Sequence, residues 1–315
     1  MKCCYHAGYV VPLSPEHPFP MSKYELLKGL LVREGVLAET DLMEPAPIPL
    51  ELAAQVHTAD YLAKLSSAAL TPAEVRRLGL PWTASLWDRS QLAAGGTLLA
   101  ARTALDEGLA ANLAGGTHHA FADHGEGFCV LNDVAIAIVQ LRAEGAIRRA
   151  LIIDLDVHQG NGTAAIFADS DAVFTFSMHG EKNYPATKMR STLDVGLPDG
   201  IGDEEYLATL ARHLPQVLER ADADIAFYVA GVDVVAGDRY GKLALSEEGL
   251  RAREQAVIRA VRSRGLPLVI VLAGGYAPTR ERTAELHAHV IREACAYERS
   301  ACADRIKPRW PSSSP

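Results

Sequence analysis

The chain has 315 residues, 49% hydrophobic and 22% charged, an ordinary globular composition with ample length for one large domain or two average ones. A net charge of −8, with no run of Lys or Arg, argues against a nucleic-acid-binding surface. The five cysteines (Cys3, Cys4, Cys129, Cys295 and Cys302) form no CxxC pair and are odd in number. They fit reduced thiols in a cytoplasmic protein better than a disulfide framework. No signal-peptide core is evident, and no stretch approaches the ~18 apolar residues of a membrane span.

In chain order, a strand is expected around Cys3–Tyr5, then a helix over Lys23–Glu34 with Leu26, Leu27, Leu30 and Leu31 on one stripe and Ser22 as N-cap. Glu44–Leu50 is Pro-rich and reads as irregular or extended. Ala59–Leu70 and Ala73–Leu78 read as helices, the second after Pro72 at a helix start. Ser90–Glu107 is a long Ala/Leu helix. Its Gly95-Gly96 pair costs helix stability, which points to close packing against another backbone. After a short apolar piece at Ala111–Leu113 come Gly115-Gly-Thr-His-His, a polar loop, Gly127-Phe-Cys and a helix over Val134–Glu144.

Ala150–Ile153 reads as a buried strand running into Asp154, Asp156 and His158, with a helix start at Gly162–Ala168. Ala172–Met178 and Asp224–Ala230 read as strands ending in His179-Gly180 and Gly231-Val-Asp233. A polar loop to Gly202 and a helix over Asp203–Arg220 separate them. Ser246–Arg264 is a helix with Ser246 as N-cap, and Leu266–Ala273 is a strand ending in Gly-Gly-Tyr276. A last helix is expected over Thr279–Glu298, and residues 305–315 read as a disordered tail after a single domain over 1–304.

This alternation predicts an α/β fold with a mostly parallel sheet and helices on both faces. In such sheets ligands bind beyond the carboxyl ends of the strands. Four strands end in Asp154/Asp156/His158, Ser177/His179, Asp233 and Tyr276, which would share one rim. An Asp at a strand end is commonly a turn former or helix cap when taken alone. Burying two carboxylates and an imidazole together is costly without a cation, so the joint pattern favours a metal site. Zinc held by Asp156, His158 and Asp233 would keep positions open for water and substrate. His118 or His119 could move protons, and Tyr276 could donate to an oxyanion, the parts of an amide hydrolase. His57 reads as structural, and packing is the simpler reading of Trp82 and Trp87. His6, His17, His124, His213, His287 and His289 have no supporting pattern.

GGTHHAFADHGEGFCVLNDVA (115–135), IDLDVHQGNG (153–162), FSMHG (176–180), AGVD (230–233) and AGGY (273–276) together resemble the zinc-dependent histone deacetylase family, of the arginase/deacetylase fold. HPFPMSKY and HQGNG resemble the class IV branch and its bacterial relatives most. The resemblance implies zinc on Asp156, His158 and Asp233, and a catalytic His118/His119 pair with His119 as general base and acid. It implies Tyr276 as the catalytic tyrosine and Asp154 behind His118. Gly127, Phe128 and Tyr184 would line the acyl-lysine tunnel. A structural potassium ion would be held by Asp154, Ser177 and Met178 with main-chain oxygens of Asp156 and His158, and a second monovalent ion near Phe167, Ser170 and Val173. Asn161 stands where many members have an Asp behind the second histidine, so an altered pH profile is expected. Ala273 replaces a common glycine, with little effect expected. Gly160 and Val235 replace two second-metal ligands of dimanganese ureohydrolases, which disfavours guanidine hydrolysis. The expected activity is removal of acetyl or longer fatty acyl groups from lysine in a protein or peptide. The alternatives are a small acylated amine, as in acetylpolyamine deacetylation, and a non-catalytic metal-containing binding protein.

Overall fold

Short apolar strands and helices alternate to build one sheet in this computed structural model, which describes residues 1–306. The strands are β1 (Lys2–Cys4), β2 (Leu42–Met43), β3 (Leu109–Asn112), β4 (Ala150–Asp154), β5 (Val173–Gly180), β6 (Leu193–Leu197), β7 (Ile225–Val229) and β8 (Leu268–Val271). They lie in the order β2-β1-β3-β8-β7-β4-β5-β6, and every pair is parallel. The helices are α1 (Lys23–Arg33), α2 (Leu50–Ala53), α3 (Ala59–Ser66), α4 (Pro72–Leu78), α5 (Ala84–Glu107), α6 (Asp133–Ala143), α7 (Asn161–Ile166), α8 (Asp203–Ala221), α9 (Glu247–Arg262) and α10 (Arg280–Ile306).

Strand residues alternate between two apolar layers, as the period of two requires. Leu151, Ile153, Ala226, Tyr228 and Ile270 join one layer with α1, α8, α9 and α10. Ala150, Ile152, Phe227, Val229 and Val271 join the other with α6 and the second half of α5. Both faces are therefore covered, which leaves the strand ends as the place where ligands bind in such sheets.

The elements follow the expected order, with differences that have local causes. Helix α5 starts at Ala84, where Thr83 caps it by accepting from Leu86 N at 3.1 Å. Gly95 and Gly96 do lie at close approaches: an added Cβ would collide with Ala46 O and with the Tyr9 hydroxyl, respectively. Ser22 is not a cap, because its backbone is already helical (φ −72°, ψ −7°) and its side chain makes no cap bond. Ser246 caps α9 through Gly249 N. Strand β2 lies just before the Pro-rich stretch, where no element is expected, and β6 falls in the polar loop, since strands of two and five half-buried residues carry little apolar signal. Helix α10 runs through the expected boundary at 304, and residues 307–315 of the expected tail lie outside the described residues. Cys3, Cys4, Cys129 and Cys295 are free and buried, and Trp82 packs on Trp87 with ring centroids 6.3 Å apart. No helix among the described residues is long and apolar enough to cross a membrane.

His57 pins the long connection between β3 and β4. Its Nδ1 donates to Phe121 O at 2.9 Å, and its Nε2 accepts from Asn132 N at 3.0 Å. Burial outweighs the bond to the Phe121 carbonyl and holds the ring neutral, down at about 4 from 6.5. A depressed histidine stabilises the fold fully above its unfolded value of about 6.5, and that stability is lost as pH falls through its folded value. Between pH 7 and pH 4 this group is expected to remove about 3 kcal/mol. In urea denaturation, the stability gap between the wild type and His57→Gln should narrow by that amount over this range.

Candidate active site and metal centre

The carboxyl ends of β4, β7 and β8 are neighbours, so the loops that follow them meet at one place. Asp156 and His158 follow β4, Asp233 follows β7, and Tyr276 follows β8. Oxygens of Asp156 and Asp233 lie 3.0 and 3.1 Å from the same nitrogen, His158 Nδ1. One ring nitrogen carries at most one hydrogen, so it cannot satisfy both carboxylates at once. Further backbone donors support the acids: Gly274 N to Asp156 Oδ2 at 2.7 Å and Val157 N to Asp233 Oδ1 at 2.9 Å.

The place draws positive charge. Burial disfavours a charged His158 ring, yet Asp156 and Asp233 outweigh it and push the ring up to about 10. Burial and the facing Asp156 push Asp233 up to about 7. A cation would relieve both. The ligand atoms of Asp156, His158 and Asp233 all lie within 4.8 Å of one another, and this is the one such group among the described residues. Two oxygens and a nitrogen suit zinc, so the residues present fit the metal. Gly160 and Val235 bring no ligand to it.

The His118 and His119 rings lie next to each other beside this group, centroids 4.1 Å apart and tilted by 46°. Their loop is held by buried Asp133, which accepts from Gly116 N at 3.1 Å and Thr117 N at 2.8 Å. Asn132 caps α6 through Ala135 N and also donates to Ala120 O. The two rings are held differently. His118 Nδ1 pairs with Asp154 Oδ2 at 2.7 Å. Burial opposes a charge on it, but Asp154 and Asp156 outweigh that and raise it to about 9. His119 Nδ1 pairs with the Asn161 amide oxygen, also at 2.7 Å. Burial, with His118 and His158 nearby, drives His119 well below 6.5. The pair thus divides into a ring that favours a charge and a ring that stays neutral.

A cavity of about 300 Å³ opens on this place, floored by His119, His158 and Tyr276 and walled by Phe128, Tyr184 and Tyr240. A smaller recess of about 30 Å³ continues inward past Gly115–His119 and Tyr276. Phe128 stands at φ +67°, rare for an aromatic residue, and its N donates to Leu78 O at 2.8 Å. Tyr276 N is held by Asp238 Oδ2 at 2.6 Å. Burial and the two site aspartates push the Tyr276 phenol well above 10, so it stays a donor. At the rim, Asp154 pairs in register with Ser177, whose Oγ lies 2.8 Å from His179 Nδ1. Buried Met178 follows, and Phe167 and Ser170 form the turn before β5.

Several neighbours carried no sequence signal. Glu126 accepts from Asn161 Nδ2 and from the Tyr184 hydroxyl. Buried Lys23 donates to Ala273 O at 2.7 Å and faces His287 Nε2 at 3.2 Å. Burial outweighs the attraction of Asp233 and Asp156 and lowers Lys23 to about 8. Ala273 stands at φ +57°, a left-handed alanine that costs about 1 kcal/mol where a glycine would not. His17 joins the surroundings through Gly79 O, and Tyr240 packs on Tyr276 at 4.9 Å. Paired charges and aromatics scattered over the chain have no common spacing to find them by.

A family model for the histone deacetylase domain matches residues 17–294. An uncharacterised protein of Picosynechococcus sp. is 49% identical over 273 residues, which cover 87% of this chain and 91% of that one. Histone deacetylase 2 of Arabidopsis thaliana is 34% identical over 278 residues, covering 84% of this chain and 71% of its own. The crystal structure of the HDA15 HD domain aligns at a TM-score of 0.76 and 21% identity over 93% of this chain and 87% of that chain, a likeness of fold.

Gly127 shows how tightly the cavity wall is built. At φ +55°, a Cβ there would lie 2.6 Å from His119 Cδ2. Left-handed strain and overpacking together predict that Gly127→Ala loses about 2 kcal/mol or more in urea denaturation.

Proposed function

The chain belongs to the histone deacetylase domain family, and we propose that it is a zinc-dependent hydrolase that removes acyl groups from lysine side chains. The observation that carries this reading is the 300 Å³ aromatic cavity whose floor is His119, His158 and Tyr276. A lysine stem with an amide at its tip needs that shape: apolar walls along the methylenes and polar groups at the closed end.

Zinc on Asp156, His158 and Asp233 would supply an acidified water and polarise the acyl carbonyl. His119, held neutral, takes a proton from the attacking water and returns it to the leaving lysine amine. His118, paired with Asp154, keeps positive charge beside the site as negative charge develops on the acyl oxygen. Tyr276 donates its phenolic hydrogen to that oxygen. Phe128, Tyr184 and Tyr240 orient the stem and exclude water. A potassium ion on Asp154, Ser177 and Met178 would stiffen the rim behind His118.

Purified zinc-loaded protein assayed on lysine peptides of increasing acyl length should turn over at least one of them. Tyr276→Phe should lower kcat by about 10²–10³-fold, the loss typical of one oxyanion donor. Full activity in that variant would overturn the mechanism, and turnover of acetylpolyamines alone would overturn the protein-lysine assignment. Stripping the metal with a chelator is expected to cut turnover by about a thousandfold, with recovery on adding zinc. Undiminished turnover after verified metal loss would overturn the zinc reading.

A further inference from the structure

We propose that Glu126 is a positioning residue that fixes the orientation of the Asn161 amide and, through it, the tautomer of His119. The inference deepens the proposed function, since it rests on His119 being the proton carrier.

The difference between the two histidines makes a lock necessary. Behind His118 stands the carboxylate of Asp154, 2.7 Å from Nδ1. A carboxylate only accepts, so His118 Nδ1 must carry the hydrogen. Behind His119 stands an amide, which presents either an oxygen or an NH₂ after a half-turn of its end. With the oxygen inward, Nδ1 carries the hydrogen and Nε2 keeps the lone pair a base needs. With the NH₂ inward, Nδ1 must accept, the hydrogen moves to Nε2, and the base is lost. Asn161 alone does not choose.

Glu126 chooses for it. Its Oε1 lies 2.5 Å from Asn161 Nδ2, while Asn161 Oδ1 lies 2.7 Å from His119 Nδ1. A half-turn of the amide would set its oxygen against the carboxylate, two acceptors face to face. The carboxylate is itself held: Tyr184 donates to Oε1 at 2.7 Å, and His124 Nε2 lies 3.6 Å from Oε2. Burial opposes its charge, but the nearby His124 ring and the hydrogen bonds from Asn161 and Tyr184 outweigh it and hold the carboxyl down at about 2. Glu126 therefore stays an acceptor across the working range of pH. The next residue, Gly127, is the one that packs against the His119 ring edge, so adjacent residues set the ring's place and its hydrogen.

The arrangement also places a negative charge one amide beyond His119, where His118 has its own carboxylate directly. Asn161 thus relays an acceptor instead of supplying one. Tyr184, a wall of the cavity, is tied to the same oxygen of Glu126.

The test reads the tautomer itself. Ring-¹⁵N histidine spectra of the zinc-loaded protein, assigned by the resonances lost in His119→Ala, should show Nδ1 protonated and Nε2 bare at neutral pH. In Glu126→Ala the two nitrogen signals should shift toward each other or exchange, and kcat should fall at least tenfold. Glu126→Gln, which keeps the volume but can turn either way, should show the same change in smaller degree if Glu126→Ala does not fold. In an Asn161→Asp background the acceptor is permanent. There Glu126→Ala also removes the repulsion between two facing carboxylates, so the tautomer should survive and kcat should not fall. An unchanged His119 tautomer in the foldable Glu126 variant, or an equal kcat loss in both backgrounds, would overturn the proposal. The spectra need no substrate, so failure to find a deacylated substrate would count against the functional reading and leave this inference standing on its own result.

Discussion

Three carboxylates, Asp154, Asp156 and Asp233, are buried together at the rim where β4 and β7 end, and the surrounding chain answers their charge. Burial of one such group costs several kcal/mol unless it is hydrogen-bonded and matched by positive charge. Backbone donors come from the loops themselves, as with Asp156 N to Asp154 and His158 N to Asp156. Positive groups come from elsewhere in the chain: His118 from the β3–β4 connection and Lys23 from α1. Arg253 of α9 reaches beneath the site and donates to Leu155 O and Gly231 O, each one or two residues from a candidate metal ligand. Buried Glu254 neutralises it at 2.6 Å. The loops are thus pinned from below by one charged pair, while the open side faces the cavity.

That pinning separates two properties that are often opposed. The acids are held close enough to repel one another, which keeps their affinity for a cation high. Their backbones are held so that the repulsion does not open the site. The cavity walls follow another rule. Phe128 at φ +67° and Ala273 at φ +57° are left-handed non-glycine residues on either side of the site, strain of the kind that collects where a ligand must be gripped. The packing around them, with Leu78 bonded to Phe128 and Lys23 to the Ala273 carbonyl, holds both in place.

Much of the fold was legible because fully buried parallel strands are apolar on both faces and end where the apolar run ends. The runs at Ala150–Asp154, Ile225–Val229 and Leu268–Val271 needed only that rule. Strands β2 and β6 were not legible, since short half-buried segments look like loops. Helix starts were partly legible. Ser246 followed its propensity to cap, but Ser22 did not, because its own backbone is already helical. In the site, the family resemblance set Asp154 apart, while Asp154, Asp156, His158 and Asp233 as a set could be grouped from strand ends alone. Lys23, Glu126, Asp133, Asp238 and Arg253 could not. Each acts on the site through contacts 16 or more residues away in sequence, and a lone charged residue on a helix or loop has a solvated surface as its commonest fate.

By itself the sequence determined the strand-and-helix alternation and the side chains that stand at the strand ends, because both follow from local apolar periodicity and from where the run stops. The asymmetry between Asp154 and Asn161 behind the two histidines came from the family resemblance, and the fold sets each residue there. The tertiary structure decided what that asymmetry amounts to. Only folding sets Glu126 behind the Asn161 amide and leaves two acids competing for one imidazole nitrogen. Those relations join residues 35 and 75 positions apart, and hydrogen bonds of that separation are created by the packing of the sheet and its loops, not by any local preference of the chain.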